Sequence, residues 1–194
     1  MWKRVVMVVI ILLVVFFGSV AGFIYLHPVF GGNPDAASMH NIQESRHYQT
    51  DKFNNLIETQ LSTRSKDSPS FWQGMKSFFF PPESKNPQAP LPSKKFNRED
   101  FQNGQFVWLG HSTIMFKTQD QVILADPVFH AASPIPVFGK AFEVQHKTEI
   151  HDLPPIDAVI ISHDHYDHLD YRTITQISKN VQRFYVPLGI KGHL

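Results

Sequence analysis

Four candidate metal ligands fall within six residues of one another: His163, His165, Asp167 and His168, in the string Ser162-His163-Asp164-His165-Tyr166-Asp167-His168-Leu169-Asp170. Imidazole and carboxylate donors together suit zinc, with iron and manganese as alternatives. Side chains at i and i+2 of an extended segment project to one side, so His163 and His165 can address a single point. Asp167 and His168 follow after the chain turns and can address a neighbouring point. One short loop can thus give two ligands to each of two adjacent metals. Isolated histidines usually serve the surface or the core, but an H-x-H-x-D-H string that directly follows an apolar strand is a site candidate.

Outside the loop, Asp126 ends an apolar run and is a candidate acceptor for the second ring nitrogen of a ligand imidazole. The alternative is a turn aspartate opening Asp126-Pro127. His111 follows Gly110 at a strand end, where it either lines the site or is structural. Asp167, His111 and Asp126 are the candidate catalytic residues. Asp164, Tyr166 and Asp170 lie in the loop without a ligand position, and Asp170 can instead cap a helix beginning near Tyr171.

The elements that must position these groups are legible in the hydrophobic pattern. Phe106–Leu109, Thr113–Phe116 and Val122–Ala125 are short apolar or β-branched runs broken by turn residues, the spacing of a β-meander. Residues 127–155 hold five prolines and read as loop, whose Phe129, Ile135, Val137, Phe138 and Phe142 can wall an apolar pocket. Ala158–Ser162 is wholly apolar up to its last residue and reads as a strand buried on both faces. Ligand sites of α/β sheets tend to lie beyond the carboxyl ends of such strands. Tyr171–Lys179 is helical in pattern, Arg183–Val186 is strand-like, and the class is mixed α/β (α+β).

Upstream the chain changes character. Val5–Leu26 is 22 residues without a charge. A helix of that length spans roughly 33 Å and can cross a bilayer. Lys3 and Arg4 precede it, so the positive-inside rule keeps the N-terminus cytoplasmic and the domain on the opposite side of a single-pass protein. Ser19-Val20-Ala21 also has the small residues of a signal-peptidase site, which would export the chain after cleavage. The apolar run continues beyond it through Phe23–Leu26, which favours an uncleaved anchor. Between anchor and strands lies a Pro- and aromatic-rich segment. In it Phe53–Leu61 reads as a short helix. Phe71-Trp72 and Phe78-Phe79-Phe80 read as a collar packed on the domain, with a membrane-surface role as the alternative. Pro81 to Pro92 reads as an extended connector. The expected division is 1–27 anchor or signal segment, 28–97 connector and collar, and 98–194 catalytic-type domain.

Composition excludes several classes. Lys and Arg number 18 against 17 Asp and Glu, a balance unlike that of a polybasic nucleic-acid binder. With 42% hydrophobic residues the chain is too apolar for disorder. It has no cysteine, hence no disulfide, thiolate zinc site or cysteine nucleophile.

The metal string, together with Trp108-Leu109-Gly110-His111-Ser112-Thr113, Leu124-Ala125-Asp126-Pro127-Val128-Phe129, Leu153–Tyr171 and Phe184-Tyr185-Val186-Pro187-Leu188-Gly189, resembles the metallo-β-lactamase superfamily. Within it the blocks are most similar to the N-acylphosphatidylethanolamine-hydrolysing phospholipase D branch. The resemblance covers about Phe106–Leu194. It implies an αββα sandwich with metals at one edge of the sheets, His163 and His165 on a first zinc, Asp167 and His168 on a second. It also implies a further histidine, a bridging aspartate and a last histidine beyond Leu194, so the chain is expected to be the N-terminal half of that sandwich, exposing an inner apolar face. The implied activity is hydrolysis of a lipid-like phosphodiester by metal-bound hydroxide. The alternatives are a lactone or ester hydrolase of the same fold, and a membrane-tethered metal-binding module without catalysis.

Overall fold

The computed structural model describes residues 1–57, 59, 68–135 and 137–194. Its centre is one five-stranded sheet: β3 (Phe106–Gly110), β4 (Thr113–Thr118), β5 (Gln121–Ala125), β6 (Ile156–Ile160) and β7 (Val181–Tyr185), in that spatial order; the helices are α1 (Trp2–Leu26), α2 (Ala36–Gln43), α3 (Phe71–Phe79) and α4 (Tyr171–Ile177). The first three strands form the expected antiparallel meander, while β6 is parallel to both β5 and β7. A parallel pair needs a crossover. Residues 126–155 make the first, and the metal string followed by α4 makes the second.

One face of the sheet is the core. Met115, Leu124 and Val159 lie side by side across β4, β5 and β6, and Leu169, Ile174 and Ile177 of the loop and α4 close over the same cluster. The other face carries Phe106, Trp108, Ile114, Ile160 and Tyr185, all exposed; Trp108 retains 62% of its surface. The strand read as buried on both faces is therefore buried on one. Val159 is fully enclosed, whereas Ile160 on the opposite face is 37% exposed. β6 also begins two residues earlier than the apolar run suggests, because Ile156 already pairs with Val181. The bare apolar face has the composition of an inner layer, as one half of a two-sheet sandwich requires.

α1 is long and apolar enough to cross a membrane, and none of its residues is buried. The chain then turns back onto the domain. A 3-10 turn at Pro28–Phe30 leads to α2, whose N-cap Asp35 accepts from the Ser38 amide at 2.7 Å and pairs with Lys191 at 3.0 Å. Phe30 stacks edge-on to Tyr166 of the metal string, with ring centres 6.4 Å apart.

Two expectations for the upstream segment fail. Phe53–Leu61 is not helical over its described part: Lys52–Phe53 (β2) pairs with Tyr48–Gln49 (β1) in a hairpin. Thr50 and Asp51 take φ of 52° and 59°, the left-handed pair that a two-residue hairpin turn needs. The side-chain amide of Asn54 then donates to the Gln49 and Lys52 carbonyls at 3.0 and 3.2 Å. Positions 58 and 60–61 of that stretch lie outside the described residues. The aromatic collar is the second failure. Phe71–Phe79 forms α3, opened by a Ser70–Gln73 capping box, and its rings face outward, Trp72 keeping 78% of its surface. Phe71, Trp72, Met75, Phe78 and Phe79 fall on one helical stripe. The connector from Pro81 to Pro92 is not extended throughout: a 3-10 turn interrupts it at Glu83–Lys85, and Leu91 is tied to the backbone of Glu143 and Gln145.

The one-sided core predicts that Leu124→Ala costs about 2–5 kcal/mol, whereas Trp108→Ala costs under about 1 kcal/mol. Urea denaturation of the chain measures both, and equal losses would contradict a bare second face. The Ser38 amide, and then Lys191, hold the Asp35 carboxyl at about 2, below its ordinary 3.8. A carboxylate with a depressed pKa stabilises the fold fully above the ordinary value, and this is lost as pH falls from 3.8 through about 2. The protection of the Ala36–Gln43 amides, relative to intrinsic exchange at each pH, should therefore fall in that window, and Asp35→Ala should remove the fall. Protection that stays constant through the window in the unmutated chain would refute the link.

Candidate metal centre

The metal string begins one residue after β6 leaves the sheet. Ile161 still donates to the Tyr185 carbonyl at 3.0 Å, so pairing with β7 carries the chain straight to Ser162. The string then folds as one tight turn: the amides of His168 and Leu169 both donate to the His165 carbonyl, at 2.9 and 2.8 Å. Asp170 ends it by capping α4, accepting from the Arg172 amide at 3.0 Å. This turn folds Asp167 and His168 back toward His163. Ligand atoms of His163, Asp167 and His168 lie within 4.8 Å of one another. The His163 ring is 4.0 Å from that of His168 and 4.5 Å from that of His165. His163 is thus the shared member of the cluster, and the two ligand pairs implied by the resemblance are not spatially separate.

Asp126 organises this cluster. Its carboxylate accepts from the Ser162 amide and hydroxyl, both at 2.7 Å, and from His168 Nδ1 at 2.9 Å. With its proton given to Asp126, the Ser162 hydroxyl accepts from His163 Nδ1 at 2.9 Å. Both rings therefore have Nδ1 engaged, which leaves Nε2 of each free for a metal. Burial acts to raise the Asp126 carboxyl, but the bonds from His168 and Ser162 outweigh it and hold the carboxyl below its ordinary value. The two readings of Asp126 are compatible, because it is also a turn residue, at φ 44°.

His111 sits across the sheet edge, in the β3–β4 turn, also with positive φ, 45°. Its Nε2 is 3.2 Å from the Asp167 carboxylate. Non-glycine residues in this region carry strain of roughly 1–3 kcal/mol and concentrate at functional sites. Burial would raise the Asp167 carboxyl, yet the bond from His111 and the nearby imidazoles keep it below the ordinary carboxylate range. It therefore stays ionised, as a metal ligand must. The structure brings together all five residues His111, Asp126, His163, Asp167 and His168. His165 lies outside the tight group and faces a neighbouring pocket with Asp164, Tyr166 and Asp167.

Several positioning groups escape a sequence reading. Ser112 donates to the Asp167 carbonyl, and Thr113 Oγ1 bonds the Asp126 carbonyl at 3.0 Å and the Val128 amide at 2.8 Å. Asp170, only 5% exposed, accepts from the backbone amide of His130 at 3.0 Å, faces its ring at 3.1 Å, and takes the Thr173 hydroxyl at 2.6 Å. Ser162 had a local signal, its adjacency to the first ligand; the others act over long sequence separations. In the proline-rich loop only Ile135 of the five apolar residues lines a pocket beside the site; Phe129 is core, and Val137, Phe138 and Phe142 are exposed.

Imidazole and carboxylate donors, with nitrogen tautomers set by outer partners and an ionised aspartate, fit a zinc-type cation. Residues 121–194 match the model of the beta-lactamase superfamily domain. This segment, from β5 onward, is thus similar to the metallo-β-lactamase superfamily domain. It is 34% identical over 168 residues to an uncharacterized protein of Mycobacterium tuberculosis, covering 82% of this chain and 44% of that one. It is 33% identical over 117 residues to N-acyl-phosphatidylethanolamine-hydrolyzing phospholipase D 1 of Caenorhabditis elegans, covering 57% of this chain and 33% of the relative. A solved structure, CmlA, a diiron beta-hydroxylase from Streptomyces venezuelae, is 24% identical over 40% of this chain and 14% of its own, with a TM-score of 0.31. The chain spans less than half the length of each of these relatives.

Loss of the Asp126 carboxylate should release His168 and Ser162 together. Asp126→Asn tolerates the left-handed backbone and is expected to weaken metal binding about 10–100-fold. Competition titration against a chelator checks this, and an unchanged affinity would remove Asp126 from the site.

Proposed function

We propose that the protein is a membrane-anchored, zinc-dependent hydrolase acting on a lipid-like phosphodiester. The observation that carries this reading is the cluster of His163, Asp167 and His168 at the carboxyl end of β6, keyed by Asp126 and Ser162. The likeness to a phospholipase D that hydrolyses N-acyl-phosphatidylethanolamine supports the substrate class. His163, His165, Asp167 and His168 would hold the metal, two ions in the complete protein. When bound, such ions lower the pKa of water and neutralise charge developing on phosphoryl oxygens.

The chain's own residues perform the remaining tasks. Asp126 and Ser162 fix the tautomers of His168 and His163, so that Nε2 of each faces inward. His111 lies against the Asp167 carboxylate and keeps it ionised. From that position His111 lines the wall of the site and fixes the direction of the Asp167 carboxylate. Asp170 and His130 lock the loop after β5 to the start of α4, fixing the wall beside the site. Lys3 and Arg4 before α1 orient the anchor with its N-terminus cytoplasmic and the catalytic domain on the opposite side of the membrane.

The test is turnover by the full-length protein, zinc-loaded, on N-acyl-phosphatidylethanolamine, a simple aryl phosphodiester and a lactone. Preference for the lipid phosphodiester is expected. His165→Ala should lose most bound zinc and nearly all turnover. Lactone turnover with inert phosphodiesters would replace this reading with the ester-hydrolase alternative, and metal binding without any turnover would favour a non-catalytic tether.

A further inference from the structure

The membrane helix does not merely precede the domain; its last turn forms part of a cavity beside the metal string. A groove of about 480 Å³ is bounded by Phe23 of α1, His27 just after it, Val29, Ile135, Leu169 and Arg172. A second cavity, of about 390 Å³, holds Asp164, His165 and Asp167. The two share Val29, Tyr166, Leu169 and Tyr171, so they adjoin along one wall. Aromatic contacts fasten the helix end there: Phe23 to Phe30 at 5.3 Å, and Phe30 to Tyr166 at 6.4 Å.

Depth places the groove relative to the bilayer. α1 has 25 residues, about 37 Å of helix at 1.5 Å per residue, against a hydrocarbon core about 30 Å thick. Phe23 and His27 therefore lie where acyl chains meet headgroups. The apolar groove opens at that level, and the polar cavity with the metal-string side chains lies behind it. Arg172 sits at the groove's edge, exposed, and has no acidic partner among the described residues. Its guanidinium suits a phosphate.

We propose that α1 and the metal string together wall a lateral entry for one glycerophospholipid, drawn from the leaflet into which α1 ends. An acyl chain lies in the groove between Phe23 and Ile135, and the phosphate passes Arg172 toward His165 and Asp167. The anchor then selects substrates by delivering them within the membrane plane. This inference rests on the lipid-phosphodiester reading for the direction of travel, but occupancy of the groove is measurable without turnover.

The experiment uses the full chain in nanodiscs of phosphatidylcholine doped with a phosphatidylethanolamine carrying a photoactivatable diazirine in its acyl chain. After irradiation, adducts are mapped by peptide mass spectrometry. Adducts are expected on α1 and also on peptides containing Ile135 and Leu169. Ile135→Glu should lower the adducts on those two loop peptides severalfold and spare those on α1. Ile135→Trp, which fills the groove without a charge, should do the same. Adducts confined to α1, or loop adducts unaffected by either variant, would overturn the proposal. His165→Ala should retain the loop adducts, so an absence of hydrolysis and an empty groove are read out separately.

Discussion

The carboxylate of Asp126 is the constraint on which the site depends. It stands at the end of β5 and receives three bonds from the segment that leaves β6: the Ser162 amide, the Ser162 hydroxyl and His168 Nδ1. Hydrogen bonds to a charged group contribute roughly 1.5–3 kcal/mol each. The positive φ of Asp126 costs about 1–3 kcal/mol, so the bonds outweigh the strain. What results is a fixed distance between two strand ends and a fixed orientation for two imidazoles. Without that clamp, six consecutive residues of mostly polar character would have no reason to converge.

The sheet supplies the rest of the geometry. Parallel pairing of β5, β6 and β7 sends neighbouring carboxyl ends out of the same edge, which is why residues far apart in sequence meet there. His111 reaches Asp167 across 56 positions because the β3–β4 turn opens at that edge too. The packed face, with α4 over Leu124 and Val159, keeps the edge rigid. The opposite face of the sheet is apolar and uncovered among the described residues. α1, long and apolar enough to cross a membrane, is docked through its final turn, which brings its end to the wall of the site.

Strands, loop and the long apolar N-terminal helix were legible because each depends on local pattern. Alternating or continuous apolar runs ended by Gly110, Asp120 and Pro127 marked the strands, and the uncharged run after Arg4 marked α1. Helix α4 followed from its cap at Asp170. The failures lie where the partner decides. Phe71–Phe80 shows an apolar stripe, but a stripe does not say what it faces, and in the structure it faces outward. Phe53–Leu61 matched a helical spacing, yet the left-handed Thr50-Asp51 turn just upstream drew Lys52–Phe53 into a hairpin. At the site, donor types could be read from the string itself. Their grouping could not, because it is set by Ser162 and by Asp126, the latter 42 positions from His168. The roles of Ser112, Thr113 and the His130–Asp170–Thr173 network are contacts of tertiary folding and leave no local trace.

X-ray absorption spectroscopy of the metal-loaded full-length protein tests the central claim most directly. The account predicts a shell of nitrogen and oxygen donors alone, with the outer-shell scattering of at least two imidazoles. A shell made only of oxygen donors, with no imidazole signature, would contradict it.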